Sequence, residues 1–219
     1  MNSKIEMPIV YNKNIDDQTI LAVWKIQETE AELTAGLQLK QHEVDFLFSL
    51  NNGKRLLHWL STRLLLRTML KTNEYIDCRM DEHGKPYLVN MPYEISLSHS
   101  YDYAAVMISK DKKVGVDIEL IKEKIQLIKK KFLSVEELQQ VDLDTSTDGL
   151  YVCWCVKEAI YKWNGRKGLE LKKDIYIKAF ALQDTGAVDA VVSLPMGKQA
   201  LLANYFKTDD GYMLAYIMA

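Results

Sequence analysis

Two short stretches constrain this chain more than any others. Val114-Gly115-Val116-Asp117-Ile118-Glu119-Leu120 alternates apolar residues with small or acidic ones, the period of a half-buried strand. Successive strand side chains leave opposite faces, so Asp117 and Glu119 share one. In Trp154-Cys155-Val156-Lys157-Glu158-Ala159-Ile160-Tyr161-Lys162, the residues Trp154, Glu158 and Lys162 recur every fourth position and so share a helix face. Two acids from a strand, with an acid and a lysine from a helix, can together hold a hard divalent cation. An all-oxygen set favours Mg²⁺ or Mn²⁺ over zinc, and Mg²⁺ keeps room for waters and substrate phosphates. Gly115 adds weight, because a missing side chain in an apolar strand often marks close backbone approach or a bulge. The same residues also suit a plainer role, as acids on a solvated strand face and a surface Glu–Lys pair worth a few tenths of a kcal/mol. On the residues alone both readings stand.

Composition narrows the rest. A chain of 219 residues is long enough for one large domain or two small ones with real cores. Its 48% hydrophobic and 26% charged residues are ordinary for a globular protein. A net charge of −2 gives no whole-molecule attraction to nucleic acid or to an anionic membrane. Glu6 and Pro8 break the N-terminal stretch, so no signal peptide is expected, and no apolar run reaches the ~18 residues of a membrane helix. Cys78, Cys153 and Cys155 cannot all pair, and Cys153-x-Cys155 lacks zinc spacing. They are expected as reduced, buried small hydrophobes of a cytoplasmic protein.

Along the chain, strands are expected at Ile5 to Tyr11, Ile76 to Arg79, Tyr87 to Val89, Ile95 to Ser98 and Ala104 to Ile108. Helices are expected from Asp17 to Leu33 and after Gly53, where Leu56, Leu57, Leu60, Leu64, Leu65 and Met69 are amphipathic in spacing. The polar corner Lys110-Asp111-Lys112-Lys113 reads as a turn and as the boundary between residues 1–110 and 111–219. After the Asp117 strand come helices near Ile125 to Lys131, Val135 to Gln140 and Asp148 to Trp163. Strands at Ile175 to Leu182, Val188 to Val192, Leu201 to Tyr205 and Tyr212 to Met218 close the chain. Strands and helices are segregated rather than alternating, which argues for an α+β fold.

The two acidic stretches resemble the signature motifs of the 4′-phosphopantetheinyl transferases, in the longer, two-halved, monomeric class that modifies carrier proteins. The matching residues are Gly115-Val116-Asp117-Ile118-Glu119 and Trp154-x-x-Lys157-Glu158-Ala159-x-x-Lys162. Three further segments match in order: His83-Gly84-Lys85-Pro86, Ile95-Ser96-Leu97-Ser98-His99-Ser100, and Lys131-Phe132-Leu133-Ser134-Val135-Glu136-Glu137. Upstream, Lys54 to Arg63 resembles the basic helix that precedes them in the family. A lone Gly-x-Asp-x-Glu is weak, but five ordered segments make coincidence a poor explanation.

The resemblance implies two similar α/β halves related by pseudo-twofold symmetry, with coenzyme A in the cleft between them. It implies transfer of the 4′-phosphopantetheine arm of coenzyme A to a serine hydroxyl of an apo acyl or peptidyl carrier protein, with release of adenosine 3′,5′-bisphosphate. Asp117, Glu119 and Glu158 then hold Mg²⁺, or Mn²⁺ in its place. Glu158 takes the serine proton directly or through a water, and Lys162 neutralises or protonates the leaving phosphate. Lys85, Ser98 and His99, with Arg55 and Arg63, are the expected coenzyme A contacts. Lys157 sits about 100° round the helix from Glu158 and is expected at another part of the ligand or in solvent. The run Lys129-Lys130-Lys131 is ordinarily solvated surface, or a local attraction for an acidic carrier. Two departures stand out: Ser96 replaces the family's usual Asn, and the loop after Lys162 is one residue longer. Two other classes share the same acids: a different Mg²⁺-dependent phosphate enzyme, disfavoured by the lack of a Gly-rich P-loop, and a non-catalytic module that binds coenzyme A or a carrier.

Overall fold

The computed structural model describes residues 9–50, 53–139 and 146–219. The first part of the chain gives β1 (Ile9–Asn14), β2 (Thr19–Lys25), α1 (Glu30–Ala35), α2 (Gln41–Ser49), α3 (Lys54–Leu70), β3 (Cys78–Met80), β4 (Pro86–Leu88), β5 (Glu94–Ser100) and β6 (Tyr103–Ser109). The second gives β7 (Val114–Leu120), α4 (Ile125–Phe132), α5 (Val135–Leu138), α6 (Thr147–Asn164), α7 (Leu171–Asp174), β8 (Ile175–Ile177), β9 (Thr185–Leu194), β10 (Gly197–Lys207) and β11 (Tyr212–Met218). Residues 5–8 of the expected first strand and Gln140 lie outside the described residues.

The strands form two main antiparallel sheets, ordered β1-β2-β6-β5 and β7-β11-β10-β9-β8, with β3 and β4 paired apart. Three cores result. Under α3, Leu56, Leu60 and Leu64 pack on Ala22, Trp24, Ile95 and Val106 of the first sheet. Under α6, Val152, Val156 and Ile160 pack on Ala203, Met213, Ala215 and Ile217 of the second. Between the sheets, Leu21, Val23, Ala105 and Met107 meet Val114, Val116, Ile118 and Leu214. The order from one side to the other is therefore helix, sheet, sheet, helix, a mixed α+β architecture.

The helix expected over Asp17 to Leu33 is instead strand β2 followed by the short helix α1. The physical reason is burial on both faces. Leu21 and Val23 face the second sheet while Ala22 and Trp24 face α3, so polar alternation is absent and the run resembles a buried helix by period alone. Thr29, whose hydroxyl accepts the Glu32 N–H while Glu32 reaches back to the Thr29 N–H, fixes where α1 begins. The strand expected through Leu182 stops at Ile177. All three cysteines are buried and unpaired, and no helix among the described residues is long and apolar enough to cross a membrane.

Candidate functional site

β7 uses its two faces differently. Val114, Val116 and Ile118 fill the core between the sheets, which leaves Gly115, Asp117 and Glu119 on the face toward α6. Gly115 is required there: a Cβ at that position would lie 2.0 Å from the Ala159 carbonyl oxygen and 2.8 Å from the Trp163 nitrogen. The close approach read from the glycine is a helix lying directly on a strand.

That contact brings Glu158 and Lys162, one turn apart on α6, to the acids of β7. Lys162 Nζ donates to Asp117 Oδ1 at 2.8 Å, to Ser98 Oγ at 2.8 Å and to the Val116 carbonyl at 3.1 Å. Asp117 is buried, and its second oxygen, Oδ2, has no hydrogen-bond partner. Glu119 accepts from Ser100 Oγ at 2.6 Å. Burial, and then repulsion from Asp117, push the Glu119 carboxyl above its ordinary value. The same two causes raise Glu158 further, to about 7, against the pull of Lys162. A glutamate balanced there can exchange a proton near neutral pH.

The three acids are not a ready-made cage. Among the described residues no three His, Cys, Asp or Glu side chains stand already gathered around a common point. The Lys162 ammonium already sits on Asp117, and Ser100 holds Glu119. The donor set still suits a hard divalent ion: all donors are carboxylate oxygens, one of them is buried without a partner, and burial, then like charge, raises two of the acids.

Beyond Lys162 opens a cavity of about 420 Å³. Arg55, Arg63, Lys85 and His99 all line it. Arg63 is 8% exposed, lies 4.9 Å over the Trp59 ring, and keeps a buried Nε without a partner. Lys85 Nζ is only loosely held, 3.4 Å from both Glu94 Oε2 and the Trp163 carbonyl. His99 stacks on His58 with ring centres 4.2 Å apart. The residue as a whole is exposed, but loss of water around the stacked ring, followed by His58 and Lys162, lowers its pKa to about 4.

Ser98 stands apart from that group. Period-two alternation turns His99 to the cavity and Ser98 to the opposite face, where it bonds Asp117 and Lys162. Lys157 stands apart as well. It meets neither ligand nor solvent but is fully buried, donating to Glu137 Oε2 at 2.8 Å and to the carbonyls of Leu171 and Ile175 at 2.9 and 2.6 Å. Lys129, Lys130 and Lys131 form the last turn of α4, where positive charge suits the helix dipole. Sequence reasoning missed the apolar wall of Phe46, Leu50 and Trp59, and also Tyr161 and Arg166. The spacing of Trp59 and Arg63, one turn apart on a helix, was the available signal.

Residues 113–216, which contain the acids and both α6 functional residues, match the family model of the 4'-phosphopantetheinyl transferase superfamily. Over that stretch the chain is similar to this superfamily. A 4'-phosphopantetheinyl transferase of Bacillus subtilis is 33% identical over 144 residues, 64% of this chain and 62% of that protein. The 4'-phosphopantetheinyl transferase Sfp of Bacillus subtilis strain 168 is 30% identical over 142 residues, 63% and 61% of the two chains. The 4'-phosphopantetheinyl transferase AcpT of Escherichia coli K12 is 33% identical over 120 residues, 52% and 60%. The chain thus spans about three-fifths of the length of these superfamily relatives.

Proposed function

We propose that this chain transfers the 4′-phosphopantetheine arm of coenzyme A to a serine hydroxyl of an apo carrier protein, leaving adenosine 3′,5′-bisphosphate. One observation carries the reading: a cavity lined by cationic and protonatable side chains, Arg55, Arg63, Lys85, His99 and Arg166 among them, reaches Lys162, which bonds Asp117 of a cluster of three acids, one of which, Glu158, titrates near 7. The superfamily match and the relatives' names support it. Residues 1–110 would supply most phosphate contacts, and residues 111–219, the second of two pseudo-symmetric halves, the acids.

The roles follow from chemistry. Arg55, Arg63, Lys85 and His99 offer charge-assisted contacts for the phosphates of the nucleotide, and Trp59 with Phe46 and Leu50 offers an apolar wall to its base. Asp117, Glu119 and Glu158 would hold Mg²⁺ or Mn²⁺, which supplies charge neutralisation at the pyrophosphate. A serine hydroxyl is a poor nucleophile at neutral pH, and Glu158 accepts its proton as the Oγ–P bond forms. Lys162 offsets the charge on the departing phosphate. Incubation with coenzyme A, Mg²⁺ and an apo carrier protein, followed by mass spectrometry of the carrier, tests the reading. The expected result is a gain of one phosphopantetheine; coenzyme A binding with an unmodified carrier panel would instead mark a binding module.

A further inference from the structure

Three serines alternate along β5, and three alternating N–H groups of β7 meet them. Val116 N–H donates to Ser96 Oγ at 3.0 Å, Ile118 N–H to Ser98 Oγ at 3.2 Å, and Leu120 N–H to Ser100 Oγ at 3.2 Å. The other edge of β7 pairs with β11, so these hydroxyls satisfy an edge that no strand backbone covers. A hydroxyl that has accepted a backbone N–H still has its own proton to give. Ser98 gives its proton to Asp117 Oδ1 at 2.9 Å, and Ser100 gives its proton to Glu119 Oε2 at 2.6 Å. The rung made by Ser96 ends at Val116 and reaches no acid.

We propose that Ser98 and Ser100 are positioning residues that turn the Asp117 and Glu119 carboxylates toward a divalent cation. This rests on the reading of those acids as metal holders. A carboxylate on a strand can rotate about its last bond; a hydrogen bond to one oxygen removes that freedom and directs the other. At Asp117 the arrangement is visible: Oδ1 is pinned by Ser98 and Lys162, while Oδ2 is buried and unpartnered. Hydrogen bonds that orient a ligating carboxylate affect metal affinity although they never touch the metal. Because Asp117 is held by Lys162 as well, Ser100 gives the cleaner test.

The built-in control is Ser96, which makes the same kind of rung without an acid. Mn²⁺ binding to the full chain, read by electron paramagnetic resonance, and the thermal midpoint are measured for the unmodified protein and for Ser96→Ala, Ser98→Ala, Ser100→Ala and Ser100→Thr. Ser100→Ala should weaken Mn²⁺ binding about 10-fold, in the range for lost outer partners of metal ligands. Ser100→Thr, which keeps the hydroxyl, should recover it, and Ser96→Ala should leave Mn²⁺ affinity unchanged even where its thermal midpoint falls as far. Ser98→Ala carries the same expectation as Ser100→Ala and decides the matter if the latter does not fold. Mn²⁺ affinity unchanged in Ser100→Ala or Ser98→Ala, or weakened equally in Ser96→Ala, overturns the proposal while leaving the acids as metal holders. No Mn²⁺ binding by the unmodified chain overturns the metal reading itself, and this proposal with it.

Discussion

Lys157 and Lys162 stand on the same helix, each 2.8 Å from a carboxylate oxygen, and their surroundings could hardly differ more. Lys157 and Glu137 are both wholly buried, and the pair is saturated. Lys157 adds two carbonyl acceptors, while Glu137 accepts from the backbone N–H groups of Ser134 and Ile177 at 2.8 and 2.9 Å. The pair ties α5, α7 and β8 to α6. Lys162 is 28% exposed, and its partner Asp117 keeps an orphaned oxygen beside two more acids. A saturated pair has nothing left to bind, whereas an unsaturated one beside a cavity has capacity for a ligand.

The most severe test of this contrast is on the α6 acid. Glu158→Gln should lower carrier modification by 10²–10⁴-fold, roughly the contribution of a general base, with an unchanged circular dichroism spectrum. Near-normal turnover in the variant would remove Glu158 from proton transfer. Chelation belongs beside it: EDTA should abolish transfer, and either Mg²⁺ or Mn²⁺ should restore it.

Next comes stability. Lys157→Met strands the Glu137 charge in the core and should cost ~3–5 kcal/mol in a denaturant titration, most of it recovered when Glu137→Met is added. Lys162→Met should cost well under half of that and lose transfer instead. Equal losses of stability would erase the distinction between the two pairs.

A smaller effect sharpens the cavity. Lys85→Ala should raise the KM for coenzyme A by about 10- to 100-fold more than for 3′-dephospho-coenzyme A, since one charge-assisted contact is worth ~1.5–3 kcal/mol. Equal shifts with both ligands would move Lys85 away from the 3′-phosphate.

The smallest is a pH dependence. The Glu158 carboxyl is raised to about 7 in the fold, so its contribution to stability is full below its unfolded value and is lost as pH rises through 7. His99, lowered to about 4, acts oppositely, adding stability as pH climbs from 4 past its unfolded value. In metal-free buffer, thermal midpoints from pH 4 to 8 should therefore fall less between pH 5 and 7 in Glu158→Gln than in the unmodified chain. Parallel curves would contradict the burial and crowding that raise Glu158.

Much of the acid cluster was legible because its two elements are regular and half-buried. β7 shows its period in Val114, Val116 and Ile118, and α6 shows its period in Trp154, Glu158 and Lys162. β2 was misread because both of its faces are covered, which removes the alternation that distinguishes strand from helix. The surroundings of Ser98 and Lys157 were hidden for another reason. Strand period put Ser98 opposite His99, but only the neighbouring strand shows that this face is occupied by Asp117. The partner of Lys157 lies twenty residues upstream on an element whose docking no local pattern records. The apolar cavity wall draws on α2, which carries no motif of its own.

Gly115 has one more consequence. With no side chain between Ala159 and β7, the interval separating Asp117 and Glu119 from Glu158 is set by backbone resting on backbone. No rotamer intervenes for heat to loosen, and neither surface can creep closer. The spacing of the two backbones that carry the acids is thus a property of the whole fold, and warming should leave it intact until the sheet and helix separate together.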